Sequence, residues 1–463
     1  MAGYRTAPDP NQTTMPGGIP YIVGNEAAER FSFYGMKCIL AVFLTKHLVG
    51  TDGTPDYLSP EQAKATISWF TAAVYATPFV GAVIADRWVG KYRTILWLSL
   101  FYCVGHGVLA TIDTRIGETV RPLWIMYAGL ALIACGAGGI KPCVTAHVGD
   151  QFGPSTKHLL PRVYSWFYFS INLGAFASQL LIPVLLDHPD YGPAWAFGVP
   201  GVLMAIATLA FWLGRHEFVH VPAAGPGFWA ETFGRDGRTA LANLTPLLLF
   251  VSMFWSLFDQ TASAWVLQAE SMNLRLPFAL PLVGDELKTS QVQAVNPILV
   301  LILVPLFSTV VYPWVGRRVT LTPLRKVGAG LFVTVAAFAV SAMVEQWIQA
   351  GHRPSIAWQF LAYLIITSAE VMISVTMLEF FYTQAPRRMK SVVMAFFMIS
   401  ISIGNVFTAL VNTVIQREDG TVLLPGASYY WFFTGMMLVV AIGYVFWSPR
   451  YRGRTYLQGE PAA

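Results

Sequence analysis

Residues 24–44 read GNEAAERFSFYGMKCILAVFL, and Glu26, Glu29, Arg30 and Lys37 all stand inside this otherwise apolar run. On insertion scales an ionisable side chain costs about 2.5–3.5 kcal/mol at the centre of a bilayer, so such groups face a bundle interior or a watery cavity and mark function. At a helical advance of about 100° per residue, Glu26, Arg30, Tyr34 and Lys37 fall along one stripe, with Glu29 beside it. A charged stripe on a membrane helix reads as the wall of a polar pathway.

Composition agrees. The chain has 463 residues, of which 55% are hydrophobic and only 12% charged, which excludes an ordinary soluble protein. Apolar stretches near membrane length occur at residues 24–48, 63–85, 93–112, 122–146, 161–186 and 194–213 in the first half. In the second half they occur at 244–270, 291–315, 326–348, 356–382, 391–415 and 429–448. Twelve spans put both termini on one side. Of the thirty lysines and arginines, nineteen then fall in loops or at span ends on the side of the termini and eight on the other, and Arg30, Lys37 and Lys141 lie deeper within the spans. The positive-inside bias makes the termini cytoplasmic, and the formal charge of +5 reports topology, with no nucleic-acid partner implied. The polar first twenty residues hold no signal-peptide core, so the first helix is expected to be retained as an anchor. Cys38, Cys103, Cys135 and Cys143 lack metal or disulfide spacing and are expected to be buried free thiols.

Residues 214–242, GRHEFVHVPAAGPGFWAETFGRDGRTALA, form the longest interruption. They divide residues 1–213, an N-terminal six-helix bundle, from residues 243–463, a C-terminal one, with a cytoplasmic linker between. A direct repeat is visible in outline, since GAVIADRWVGKYR follows the second span and VGRRVTLTPLRK the eighth. The architecture expected is an all-α membrane protein of the major facilitator type: twelve helices in two bundles around a central cavity, alternately exposed to the two sides. Gly81, Asp86, Arg87, Gly90 and Lys91 resemble the major facilitator loop signature, whereas the second basic loop reads as positive-inside charge.

Depth sorts the remaining charges. Lys37 on the first helix and Asp259 on the seventh both lie in the outer half, where opposite charges on corresponding helices suit a gate. Lys141, between the pliable ACGAGGI and Pro142, lies in the inner half with Glu26, Glu29 and Arg30, and Glu370 falls near mid-membrane. For any one pair the competing reading is an ion pair that only fixes packing. Counting Glu26, Glu29, Asp259 and Glu370 against Arg30, Lys37 and Lys141 leaves one carboxylate over, and such a group in a low-dielectric site takes up a proton readily. Glu270 and Glu379 stand outside that tally.

Glu26-Ala-Ala-Glu29-Arg30-Phe-Ser-Phe-Tyr34-Gly resembles the ExxER motif of the proton-dependent oligopeptide transporter family. FYFSINLG at 167–174 is similar to its fifth-helix signature, and EVMISVTMLEFFYTQAPRRMKSV from Glu370 to its tenth-helix stretch. FWSLFDQ around Asp259 and QAVNPILVLILVPLF around Asn296 are further matches. The resemblance implies proton-driven import of di- and tripeptides by a monomer in the plasma membrane, the inner membrane of a bacterium, without a cofactor other than the coupling proton. It implies that Arg30 and Lys141, with Tyr34 and Tyr75 nearby, receive the peptide carboxylate, and that Glu370, Asn172 and Asn296 receive its ammonium group. Glu26 and Glu29 then carry the proton, coupled to Arg30 and Lys141, and Lys37 with Asp259 forms the outer gate. Trp255 is either a wall of the side-chain pocket or a packing residue.

Three departures bear on this resemblance. Ser68 stands where animal members place a proton-handling histidine, Phe397 stands where Trp is frequent, and residues 214–242 are too short and polar for the two helices that many bacterial members insert. His106 and His147 read as packed, hydrogen-bonded residues. The rival functions are transport of another small anion or zwitterion, such as nitrate or a conjugated metabolite, and a membrane receptor. A hydrolase would need a nucleophile with a base, or metal ligands; no GxSxG occurs, and the one HExxH spacing, HEFVH at 216–220, falls in the polar interruption between the two halves.

Overall fold

The computed structural model describes residues 4–223, 225, 234–280, 283–384 and 390–451. Arg387, Arg388, Arg452 and Arg454, which enter the count of inner-loop charges, and most of the middle of the expected linker lie outside the described residues.

Helices dominate. The first half of the chain forms α1 (Ile19–Val42), α2 (Pro60–Ile84), α3 (Lys91–Leu109), α4 (Pro122–Asp150), α5 (Leu160–Leu186) and α6 (Gly192–Leu213). The second half forms α7 (Arg235–Phe258), α8 (Ala264–Ala269), α9 (Val295–Leu306), α10 (Tyr312–Gly316), α11 (Pro323–Gln349), α12 (Ala357–Glu370), α13 (Thr376–Gln384), α14 (Lys390–Ile415) and α15 (Ala427–Trp447). Between α8 and α9 a small antiparallel hairpin, β1 (Arg275–Leu280) and β2 (Gly284–Glu286), pairs Arg275 with Glu286, an element the apolar pattern gave no reason to expect. Among the described residues, ten helical stretches are long and apolar enough to cross a membrane. Neither α1, with its four ionisable groups, nor α3, which opens on Lys91 and Arg93, is one of the ten.

The chain divides into two compact units. The first comprises Met1–Ile39, Lys46–Tyr57 and Ala73–Thr232, and the second Leu40–Thr45, Leu58–Ala72 and Phe233–Ala463. In the first unit, small residues let helices approach at backbone distance, the usual device where lipid offers no hydrophobic drive between helices. Gly81 of α2 faces Gly139 of α4, and a side chain on Gly136 of α4 would press on the Leu98 carbonyl and Tyr102 amide of α3. Of the four cysteines, all free, Cys38 and Cys143 are buried as expected. Cys103 is half-buried and Cys135 exposed, because the apolar outer face of a membrane helix is indistinguishable in sequence from its packed face.

In the second unit, Gly404 of α14 seats against the backbone at Ser252 of α7, and Thr408 meets the Ser256 hydroxyl at 2.7 Å. The seventh span is broken. It passes from α7 through a 3-10 turn, Asp259–Ala262, into α8, with Ser263 at φ −134°, ψ −82°. Backbone groups released inside a membrane must find partners within the protein. Here they do so: Tyr363 Oη donates to the Thr261 carbonyl (3.2 Å), Tyr430 Oη to Ala264 (2.9 Å) and Gln359 Nε2 to Trp265 (2.7 Å).

At one end of the first unit, the N-terminal residues and the start of the expected linker form a joint structure. Arg5 and Val219 pair as a parallel bridge, and the His220 amide donates to the Arg5 carbonyl at 2.7 Å. Tyr4 stacks on the His220 ring at 4.2 Å, and Tyr92 of α3 lies 4.5 Å from the same ring. Phe218 is fully buried beneath them. Burial pushes the His220 imidazole below its ordinary value of 6.5, only partly offset by its bond to the Arg215 carbonyl. A depressed value in the folded form means the strap gains stability from neutral His220 above the ordinary value and loses it as pH falls below that value. Exchange of the His220 amide, corrected for its intrinsic pH dependence, is therefore expected to accelerate between pH 7.5 and 5.5. In His220→Phe it is expected to stay level.

Candidate functional site

The charged stripe of α1 lies in the first unit. Arg30 Nε donates to Glu26 Oε1 at 2.7 Å, one helical turn away, and stands 3.3 Å from Glu29 Oε2. The second contact is close enough for an ion pair but has no hydrogen-bond geometry, so neither Glu29 oxygen accepts a hydrogen bond from the described residues. Both carboxylates are buried and the arginine side chain is 12% exposed, so its open edge is what a ligand can reach.

Lys141 projects from α4 into the same cluster. Its Nζ lies 3.9 Å from the Phe33 ring centre and 4.6 Å from that of Tyr75, and it has no hydrogen-bond partner among the described residues. Aromatic faces attract an ammonium group without neutralising it. The local sequence explains the placement: Gly138 and Gly139 bring α4 against α2, where Tyr75 sits, and Pro142 removes one helical hydrogen bond just beyond the lysine. Tyr34 is half-buried with its ring edge to Phe33. Lys37, on the same stripe, is buried within electrostatic reach of Lys141. On α5, Asn172 donates from Nδ2 to its own helix at Tyr168 (2.9 Å), which leaves its carbonyl oxygen as the free polar edge.

The other expected residues lie in the second unit. Asn296 of α9 donates from Nδ2 to Glu370 Oε2 at 2.9 Å and meets Thr367 Oγ1 at 3.0 Å, so α9 and α12 hold the carboxylate together. A π-turn, Val371–Val375, begins immediately after Glu370, an irregularity that recurs at functional positions in helices. Asp259 Oδ2 accepts from Asn405 Nδ2 at 2.7 Å. Trp255 is buried edge-to-face against Phe258, with a ring separation of 5.5 Å.

The structure brings Glu26, Glu29, Arg30, Lys141 and Tyr75 together in one unit, and Asn296 with Glu370 in the other. Asn172 and Trp255 stand apart from the charged groups of their own units in the hydrogen bonds they make. Sequence reasoning passed over Phe33, Thr367 and Asn405. Only Asn405 carried a signal, as a lone amide in the apolar run ISISIGNVF, and its partner was not readable from it.

The chain as a whole is similar to known proteins. A family model described as the POT family matches residues 92–235 and 227–432. Solute carrier family 15 member 2 of Homo sapiens is 36% identical over 410 residues, covering 78% of this chain and 54% of that protein. The Rattus norvegicus protein of the same name is 34% identical, covering 79% and 54%. The chain spans about half the length of the curated relatives it matches. Among solved structures, the POT family transporter PepTSo is 34% identical with a TM-score of 0.80, covering 95% of this chain and 99% of that one. An auto-inhibited POT family peptide transporter is 33% identical with a TM-score of 0.81, covering 96% and 99%.

Replacing Asn296 by Leu removes the donor to Glu370 while leaving the carboxyl in place. Such an orphaned acceptor costs about 1–3 kcal/mol, so the thermal midpoint of Asn296→Leu is expected to fall, and adding Glu370→Gln to it is expected to recover part of the loss.

Proposed function

The chain belongs to the POT family, and from that premise we propose that it is a proton-coupled symporter importing di- and tripeptides by alternating access. Its fold is then twelve membrane helices in two six-helix bundles, residues 1–213 and 243–463, joined by the linker 214–242, with no inserted helix pair. It resides as a monomer in the plasma membrane, a bacterial inner membrane, with both termini cytoplasmic, and it uses the proton as coupling ion without a further cofactor.

The observation that carries the reading is that each unit holds a charged group complementary to one end of a zwitterion. A cationic group, Arg30 with Lys141, belongs to one unit, and a carboxylate held by an amide, Glu370 with Asn296, belongs to the other. A zwitterion with a carboxylate at one end and an ammonium group at the other suits that pair, whereas a simple anion such as nitrate has no use for Glu370. Tyr34, Tyr75, Asn172 and Trp255 complete the proposed peptide-binding set, and Lys37 with Asp259 serves the outer gate.

Coupling follows from the contacts of Arg30. While Glu26 and Glu29 are both ionised, their charges hold the guanidinium. A proton arriving on one of them removes that hold in part and leaves a net positive group to receive the peptide carboxylate. A membrane potential adds about 2.3 kcal/mol per 100 mV for each proton carried inward.

In proteoliposomes with an acidic exterior, dialanine is expected to accumulate, and unlabelled dipeptides but not nitrate are expected to compete. Binding without counterflow would instead indicate a receptor. Glu29→Gln is expected to abolish gradient-driven accumulation while exchange of labelled for unlabelled peptide continues in part. Full accumulation by that variant would remove Glu29 from the coupling role. Glu370→Gln is expected to weaken binding of peptides with a free amine at least tenfold and to leave N-acetylated ones unaffected, and equal losses for both would remove Glu370 from ammonium recognition.

A further inference from the structure

Helix α1 has a second polar face. Asn25, Glu29 and Ser32 recur at helical spacing about 120° round the axis from the Glu26, Arg30 and Lys37 stripe, and all three are buried. On α3, Ser99, Tyr102 and His106 also share one face and are equally buried. Helix α6 ties the two faces together. Ser32 Oγ donates to the Pro200 carbonyl at 2.6 Å, the adjoining Gly201 lies directly against His106, and His106 Nδ1 is 3.3 Å from the Phe197 carbonyl. The Tyr102 and His106 rings are 5.0 Å apart, and the Tyr102 hydroxyl lies in the electrostatic field of Glu29, Arg30 and Glu26.

These faces are polar and unsatisfied. Among the described residues, no hydrogen-bond partner is present for Asn25 Oδ1 and Nδ2, both Glu29 oxygens, Ser99 Oγ, Tyr102 Oη or His106 Nε2. Buried polar groups almost always find a partner in protein or water, and an internal water requires two to four such neighbours. The set contains both donors and acceptors, as a hydrogen-bonded water chain needs.

We propose that water occupies the space between α1, α3 and α6, and that Tyr102, with Asn25 and Ser99, positions it as a proton path to the Glu29 carboxyl. The path lies on the face of α1 away from the Arg30 stripe, so a proton can reach or leave Glu29 without crossing the peptide's contacts. The proton of the Glu29 carboxyl passes to the adjacent water, which hands one of its own to the next. Glu29 is left as the carboxylate, and Tyr102, Asn25 and Ser99 keep their protons throughout. The charged and titratable groups around Glu29 are Glu26 and Arg30 on α1, Tyr102 on α3 and Lys141 on α4, while α6 contributes the Phe197 and Pro200 carbonyls. The hydration stands on geometry alone, and the proton role rests on the symport reading above.

Two measurements separate these parts. Radiolytic hydroxyl labelling modifies buried side chains beside bound water, so Tyr102 is expected to react several-fold faster than Tyr363, which is equally buried but bonded to the Thr261 carbonyl. Equal protection of the two tyrosines would overturn the hydrated space. In proteoliposomes, Tyr102→Phe and Ser99→Val are each expected to lower the maximal rate of proton-driven dialanine uptake about tenfold, with KM changing less than twofold. They are also expected to enlarge the solvent deuterium effect on that rate. Wild-type rates and deuterium effects in both variants, with wild-type transport intact, would overturn the proton path. Absence of uptake by the wild-type protein would instead overturn the symport reading, and with it the proton role, while the labelling result would still decide the hydration.

Discussion

Arg30 sits between two carboxylates in a volume from which bulk water is largely excluded, and the first unit is organised around keeping those three charges together. A buried ion pair gains little net stability, because desolvation cancels much of the attraction, but removing one member leaves an uncompensated charge and is severe. That asymmetry fixes the neighbourhood. Helix α5 approaches α1 where Gly174 meets the Ala27 carbonyl, and α4 brings Lys141 onto the aromatic faces of Phe33 and Tyr75. The same asymmetry makes the cluster responsive, since a single proton changes which charges are matched.

The second unit solves a different problem. Its helices are interrupted at Ser263 and after Glu370, and the carbonyls around the first break are captured by Tyr363, Tyr430 and Gln359 from other helices. Irregular backbone at membrane depth survives only where the protein itself supplies partners. Asp259 and Glu370 adjoin these interruptions, and each is held by one asparagine from a neighbouring helix, Asn405 and Asn296 respectively. Asn296 is a neutral donor, which positions the Glu370 carboxylate without neutralising it.

Much of this was legible from residues alone. The apolar stretches indicated the helices and the helical period put Glu26 and Arg30 on one stripe, to which the structure adds their bond and the close approach of helices at the glycines before Lys141. Asn296 and Glu370 were assigned together by resemblance, and the structure joins them directly. What escaped were relations between helices far apart in the chain. Nothing near Asn405 specifies Asp259, nothing near Tyr363 specifies a broken seventh helix, and the docking of Tyr4 on His220 joins residues separated by nearly half the sequence.

By itself, the sequence determined that this chain enters a membrane, that Glu26, Glu29, Arg30 and Lys37 stand within one otherwise apolar run and that the chain belongs to a transport family, because hydropathy, period and motif are properties of contiguous residues. The tertiary structure alone decided what each charge faces. Glu26 and Glu29 are three residues apart and look alike in the motif, yet Glu26 accepts a hydrogen bond from Arg30 while Glu29, 3.3 Å from the same guanidinium, accepts none from the described residues. The difference arises because a helix shows every side chain a direction, and only the packing of its neighbours gives that direction a partner.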